Sequence, residues 1–197
     1  MNLTASTEPL FRFDADRHVY TLNGERRPSI SQMLKDGGLV DATFMTEEGR
    51  ARGSAVHRLT ADYDLGAIED PASVTSLYKG WLLAHVAAMK VLKPDILEVE
   101  EPHMHPRYEF GGRPDRVAKL WGLLCTLEGK TGGRERWHPI QTALQAILIA
   151  HRFGLKPDQV GRYCVYIQSN GKFKVERHIN AGDFTRAQAL IREFCPS

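Results

Sequence analysis

The chain has 197 residues, room for one domain or for one core with an accessory lobe. With 42% hydrophobic, 25% charged and 9% aromatic residues it is no disordered, collagenous or disulfide-scaffold protein. A net charge of +2, from 26 Lys and Arg against 24 Asp and Glu, is far from that of a polycation that coats nucleic acid without specificity. The longest apolar stretch, Ile140 to Ala150, contains Gln141, Thr142 and Gln145 and falls short of the ~18 residues of a membrane span. The opening MNLTASTEPL has no basic segment followed by an apolar one, so it does not read as a secretory signal. Cys125, Cys164 and Cys195 are too scattered for a disulfide framework or a metal knuckle and read as reduced thiols, which suits the cytoplasm.

Phe11, Phe13, Val19, Tyr20 and Leu22 lead into Asn23-Gly24 and predict a small β-hairpin, because both turn residues tolerate positive φ. Ser29 is set to cap a short helix ended by Gly37-Gly38. Thr46, followed by Glu47 and Glu48, predicts the start of a longer helix ending by Gly66, with Ala51, Ala55, Leu59 and Asp62 on or near one face. A further helix is expected from about Pro71 to Lys90, with Leu77 to Met89 as its core stripe and Pro94 blocking its continuation. Strands follow at Ile96–Glu101, Phe110–Leu120 and Leu123–Glu128, the last two joined by a very short turn at Trp121-Gly122. Pro139 to Arg152 reads as a helix with Gly154 at its end, Tyr163–Gln168 and Phe173–Ile179 as strands, and Asp183 as the cap of a last helix running to about Phe194. Strands packed with helices on their faces give an α/β or α+β sandwich.

The chemistry concentrates in Gly111 to Thr131. If Trp121-Gly122 is a two-residue loop, Leu120 faces Leu123, and counting outward sets Asp115 opposite Glu128. Opposed side chains on one face have Cβ atoms ~4.5–5.5 Å apart. Lys130, two residues past Glu128, points to the same face if the strand continues. Opposed carboxylates repel, so a shared proton, a basic partner or a metal ion must neutralise them. Asp, Glu and Lys so arranged are a minimal kit for metal-assisted phosphodiester hydrolysis; an ordinary hairpin ion pair is the plain alternative. Gly111, Gly112 and Gly129 would permit close approach of a ligand. His103-x-His105 has strand-ligand spacing but no third soft ligand nearby. Trp137, Tyr163 and Tyr166 suit core packing better than base stacking. Three basic clusters stand out: Arg50, Arg52 and Arg58; Arg134, Arg136 and His138; and Lys172, Lys174 and Arg177.

Arg113-Pro114-Asp115, twelve intervening residues and Glu128-Gly129-Lys130 resemble the signature of the PD-(D/E)XK nuclease superfamily. Gly53 to His57 is similar to the Gly-x-x-x-His helix motif of its RecB-like branch, and Lys130-Thr131-Gly132 to that branch's ending of the motif. Glu100 stands where the branch has a first-strand acid, with Glu98 and Glu101 as rivals. Gln141 stands where it begins a Gln-x-x-x-Tyr motif, and Pro28 to Ser31 resembles a lead-in of phage-encoded exonucleases. The resemblance implies a restriction-endonuclease-like core of helix, three strands, helix and strand, built on a mixed central sheet. It implies one nuclease domain over 1–197: hairpin and short helix at 1–45, catalytic core at 46–168, and a closing strand and helix at 169–197.

The same resemblance implies Mg²⁺ or Mn²⁺ on Asp115 and Glu128, with His57 and Glu100 as further metal ligands. The backbone carbonyl of Glu128 or Gly129 would assist, and Lys130 would position the attacking water. Gln141 would orient the catalytic strand or contact a phosphate. Arg52, Arg113, Thr131, Arg134 and Arg136 would meet DNA. The implied activity is a DNA nuclease, more an exonuclease than an endonuclease, of the phage or recombination type, with a recombination or single-strand-binding protein as partner. A non-catalytic nucleic-acid-binding module and a structure-specific endonuclease are the alternatives. This sequence departs from the pattern twice. Gln145 stands in place of the Tyr, and four cluster-binding cysteines are absent, so no iron–sulfur cluster is expected.

Overall fold

A computed structural model describes residues 10–40 and 46–195; of the opening MNLTASTEPL, only Leu10 lies among them. Strands β1 (Phe11–Asp14), β2 (Val19–Leu22) and β3 (Glu25–Arg27) form an antiparallel sheet in that order. Asn23 (φ 54°) and Gly24 (φ 85°) make the tight turn between β2 and β3. The hairpin expected here is thus one half of a three-stranded sheet. Helix α1 (Ile30–Asp36) begins where the Ser29 hydroxyl accepts the Gln32 N–H, and Gly37 closes it. Helix α2 (Glu47–Asp64) begins at Thr46, whose hydroxyl accepts the Gly49 N–H. Its buried residues are Val56, Thr60 and Ala61, and Ala51 is exposed, so the inward face is rotated from the one expected.

Helix α3 (Lys79–Leu92) starts later than Pro71. The Asp70 carboxylate accepts the Ala72 N–H and the Asp70 carbonyl accepts the Ser73 hydroxyl, so this segment spends its polar groups on turns instead of a helix. Leu77 is consequently 86% exposed, while Leu82, Ala84, His85, Ala88 and Met89 are buried as the stripe predicted. Strand β4 (Asp95–Val99) follows. The single strand expected over Phe110–Leu120 is two: β6 (Phe110–Gly112) pairs with an unforeseen β5 (His103–His105), and β7 (Arg116–Leu120) joins the main sheet. Pro114, with no N–H to give a ladder, sits at the break. Gly111 and Gly112 pack closely on protein: a Cβ on Gly111 would overlap Tyr20 and one on Gly112 would overlap Ile30, so their small size serves packing.

The main sheet adds β8 (Leu123–Lys130), β9 (Gly161–Ile167) and β10 (Phe173–Arg177) in the order β10-β9-β8-β7-β4. Only β8 and β9 run parallel, and α4 (His138–Arg152) makes their crossover. The last strand stops at Arg177, leaving Ile179 79% exposed. Helix α5 (Gly182–Phe194) closes the chain. Asp183 does not cap it: its carboxylate meets Arg162 at 3.1 Å, and the Asn180 side chain accepts the Gly182 N–H. The fold is α+β on a mixed sheet; counting only the strands of that sheet, α3, then β4, β7 and β8, then α4 and β9 follow the expected helix, three strands, helix and strand, with the β5–β6 pair inserted after β4.

Alternation along the strands divides the core. Val117 and Leu124 pack on Ala146, Ile149 and Ala150 of α4, whose other side meets α1 and α5. Ala118, Leu120, Cys125 and Leu127 face the opposite way with Leu92 of α3. Val165 and Ile167 pack on Val56 of α2 and Ala84, Ala88 and Met89 of α3. All three cysteines are free thiols. No helix among the described residues is long and apolar enough to cross a membrane.

Candidate metal centre and cleft

Trp121 (φ 52°) and Gly122 (φ 81°) both adopt the left-handed conformation of a two-residue hairpin turn, and Leu120 pairs with Leu123. Arg116 therefore pairs with Leu127, which brings Asp115, one residue before β7, beside the end of β8. There the Asp115 Oδ2 accepts the Gly129 N–H at 2.7 Å. Its Oδ1 lies 3.2 Å from His57 Nδ1, which is also 3.6 Å from Glu100 Oε1. Donor atoms of His57, Glu100 and Asp115 all lie within 4.8 Å of one another. Glu100 can turn inward because its own φ is 53°, just past β4. Its rivals do not share the cluster: Glu98 pairs with His103 and Arg152, and Glu101 is exposed.

One imidazole and two carboxylates suit Mg²⁺ or Mn²⁺, whose hard character favours oxygen donors. Without a cation, the proton takes that place. The Asp115 charge, with the Glu100 carboxylate close by, outweighs burial and raises the His57 pKa to about 10. Burial pushes Asp115 upward, but His57, Arg116 and Lys130 outweigh it and hold Asp115 well below the usual carboxylate range. Arg113 Nε takes the other Glu100 oxygen at 2.9 Å.

Glu128 is engaged on the α4 side. Lys130 Nζ and Gln141 Nε2 donate to its Oε1 at 3.0 and 2.7 Å, and Gln145 Nε2 donates to its Oε2 at 2.7 Å. Gln141 Oε1 accepts a second Lys130 hydrogen bond at 2.8 Å. Burial works against a charged Lys130, yet Glu128 and Asp115 raise its pKa, so it stays an ammonium. Gln141 and Gln145, four apart on α4, reach one carboxylate because that spacing shares a helix face. Asp115, Glu128, Lys130 and Gln141 thus surround one cleft of about 1440 Å³, but Glu128 is not one of the three mutually close donors.

The other expected contacts line the same cleft: Arg52, Arg113, Thr131, Arg134 and Arg136, with Arg50 and Arg58 beside them. Arg113 is held by Glu100, and Arg134 by Glu176 at 2.8 Å. His103 is bonded to Glu98, and His105 stacks on Tyr108 and Phe110, so neither joins a metal-binding group among the described residues. Trp137 covers Lys130, with its ring centre 5.0 Å from Nζ. Tyr163 is core, and Tyr166 holds buried His138 through its hydroxyl at 3.1 Å.

Two features escaped sequence reasoning. Gln145 marked a departure from a pattern, with no sign that it would grip Glu128. Behind the site, Asp64 Oδ2 meets Arg116 Nε at 2.7 Å and His85 Nε2 at 2.8 Å, joining α2, α3 and β7. Arg116 Nη1 then lies 3.8 Å from Asp115 Oδ2.

No family model matches the sequence, and no curated protein does. In structure the chain is similar to the crystal structure of a "Putative exonuclease" from Eubacterium rectale, with 10% identity, 86% of this chain and 79% of that chain covered, and a TM-score of 0.48. At that distance the likeness carries no functional weight, which falls on the side chains.

Proposed function

We propose that the protein is a divalent-metal-dependent DNA nuclease that hydrolyses phosphodiester bonds. The observation that carries this reading is the convergence of His57, Glu100 and Asp115 at the floor of a cleft that also holds Lys130 and Glu128 and is edged by arginines. His57, Glu100 and Asp115 would hold Mg²⁺ or Mn²⁺, with Glu128 facing them from β8. Bound there, the cation would supply Lewis-acid neutralisation of phosphate charge.

The chain's own groups do the rest. Lys130, kept charged by Glu128 and Asp115, is placed to orient a water and to offset negative charge that develops on the phosphoryl group. Gln141 fixes the Lys130 ammonium and the Glu128 carboxylate relative to each other. Arg50, Arg52, Arg58, Arg134 and Arg136 would track the phosphate backbone, so DNA affinity would fall with salt. Exonuclease action in recombination or phage DNA processing is the finer reading, and it rests on the sequence resemblance.

End-labelled linear DNA incubated with Mg²⁺ or Mn²⁺ tests this reading beside a closed circle. The proposal expects linear DNA to be degraded, the circle to be spared, and EDTA to stop the reaction. Lys130→Ala should lower turnover by a factor of about 10² or more. DNA that is retained in a gel shift but never cut with any divalent cation would refute hydrolysis and favour a binding module. A nicked or linearised circle would make the protein an endonuclease.

A further inference from the structure

We infer that Gln145 is a positioning residue that sets the rotation of the Glu128 carboxylate toward the metal cluster; the inference rests on the metal-dependent reading of the cleft. Gln145 is 2% exposed, on a stretch of α4 whose neighbours Ala143, Leu144, Ala146 and Ile147 are core residues. An apolar side chain would be the ordinary occupant. The amide is instead half satisfied: Nε2 donates to Glu128 Oε2, while Oε1 is buried with no hydrogen-bond partner among the described residues. Turning the amide over would set its oxygen against a carboxylate oxygen, so the orientation is fixed by Glu128. A buried acceptor left unpaired lowers stability, so core packing does not account for this residue.

The contrast with Gln141 sharpens the point. Gln141 uses both ends of its amide, on Lys130 and on Glu128 Oε1, and Lys130 itself also bonds Oε1. Oε1 therefore has two donors. Oε2 has one among the described residues, and it is Gln145. The terminal torsion of a glutamate is broad and roughly two-fold, so a carboxylate gripped at one oxygen still swings. Gln145 supplies the second grip. On the metal-dependent reading Glu128 would be a further ligand beside the three mutually close donors, and partners one step behind a ligand typically change metal affinity or activity by about 10–100-fold.

The decisive variant is Gln145→Met, close in volume and without the donor or the unpaired acceptor. The measurements are the Mn²⁺ dissociation constant by calorimetry, kcat and KM for linear DNA, and thermal unfolding, each against the parent protein. The inference expects the Mn²⁺ dissociation constant to rise and kcat to fall by about tenfold or more, with KM for DNA unchanged and the protein still folded, because the donor lost from Glu128 Oε2 is set against the unpaired Gln145 Oε1 removed with it. Gln145→Glu, which sets a second carboxylate against Glu128, should lose more. Parent-like Mn²⁺ affinity and kcat in Gln145→Met would overturn the inference. So would a failure to fold, or losses that vanish when the variants are assayed well below their Tm, which would make Gln145 a stability residue. The nuclease reading fails separately: a parent that binds Mn²⁺ but cuts no DNA sinks hydrolysis, and the Mn²⁺ comparison still decides Gln145. A parent that binds no Mn²⁺ overturns both.

Discussion

Helix α2 presents two groupings of histidine, carboxylate and arginine, one at His57 and one seven residues later at Asp64. At Asp64 the side chains of Asp64, His85 and Arg116 are at most 3% exposed, and all three elements close over them. At His57 the exposures of His57, Glu100 and Arg113 run from 21% to 35%, and the cleft opens onto them. The two histidines move in opposite directions. Burial pushes His85 below its ordinary pKa and leaves it neutral, whereas Asp115 drives His57 up to about 10. At the sealed grouping one anion and one cation balance. At the open one Asp115, Glu100 and Glu128 outnumber Arg113 and Lys130, and a proton or a cation must make up the difference. A balanced buried pair is scaffolding; an unbalanced one beside solvent is where a divalent ion fits.

Substitutions break this comparison in order of effect. Asp64→Asn leaves Arg116 charged in the core without its partner and should destabilise the protein by about 3–5 kcal/mol, read from the urea midpoint. An equal midpoint would show that the Asp64 pair is not structural. Glu100→Gln, at the partly open grouping, should change stability by less than about 1 kcal/mol while weakening Mn²⁺ binding at least about tenfold, as measured by calorimetry. Equal Mn²⁺ affinity would remove Glu100 from the ligand set.

The pH dependence follows from His57. Its raised pKa means that its proton stabilises the metal-free fold fully below pH 6.5, and that this contribution is lost as pH climbs through about 10. Metal binding must expel the same proton, so Mn²⁺ affinity should rise with pH across that window, by up to about tenfold per unit, and the binding heat should depend on the buffer. His57→Gln should flatten the stability slope. The smallest effect is at the hairpin turn. Trp121 is 76% exposed and holds φ 52°, so Trp121→Asn should add about 1 kcal/mol without touching cleavage.

The sequence made the hairpin legible because turn geometry is local: one glycine and a register count placed Asp115 near Glu128 and Lys130 on the side of Glu128. Helix starts with a side-chain cap, at Ser29 and Thr46, were legible for the same reason. The start of α3 was not, because apolar spacing continued across a segment whose Asp70 preferred turns. Nor was the break between β6 and β7, where Pro114 releases the chain from one sheet and the next three-residue pairing is too short to signal. Asp64 and Arg116 meet across 52 residues, and no local pattern announces such a pair. Gln145 looked like a gap in a motif because its meaning depends on which face of α4 lies over Glu128.

The central claim is that His57, Glu100 and Asp115 share one divalent ion. A crystal grown with Mn²⁺ and measured for its anomalous signal tests it most directly. The account predicts a single strong peak within about 2.5 Å of donor atoms from all three residues. A peak held elsewhere, or none at saturating Mn²⁺ with His57 still paired to Asp115, would contradict it.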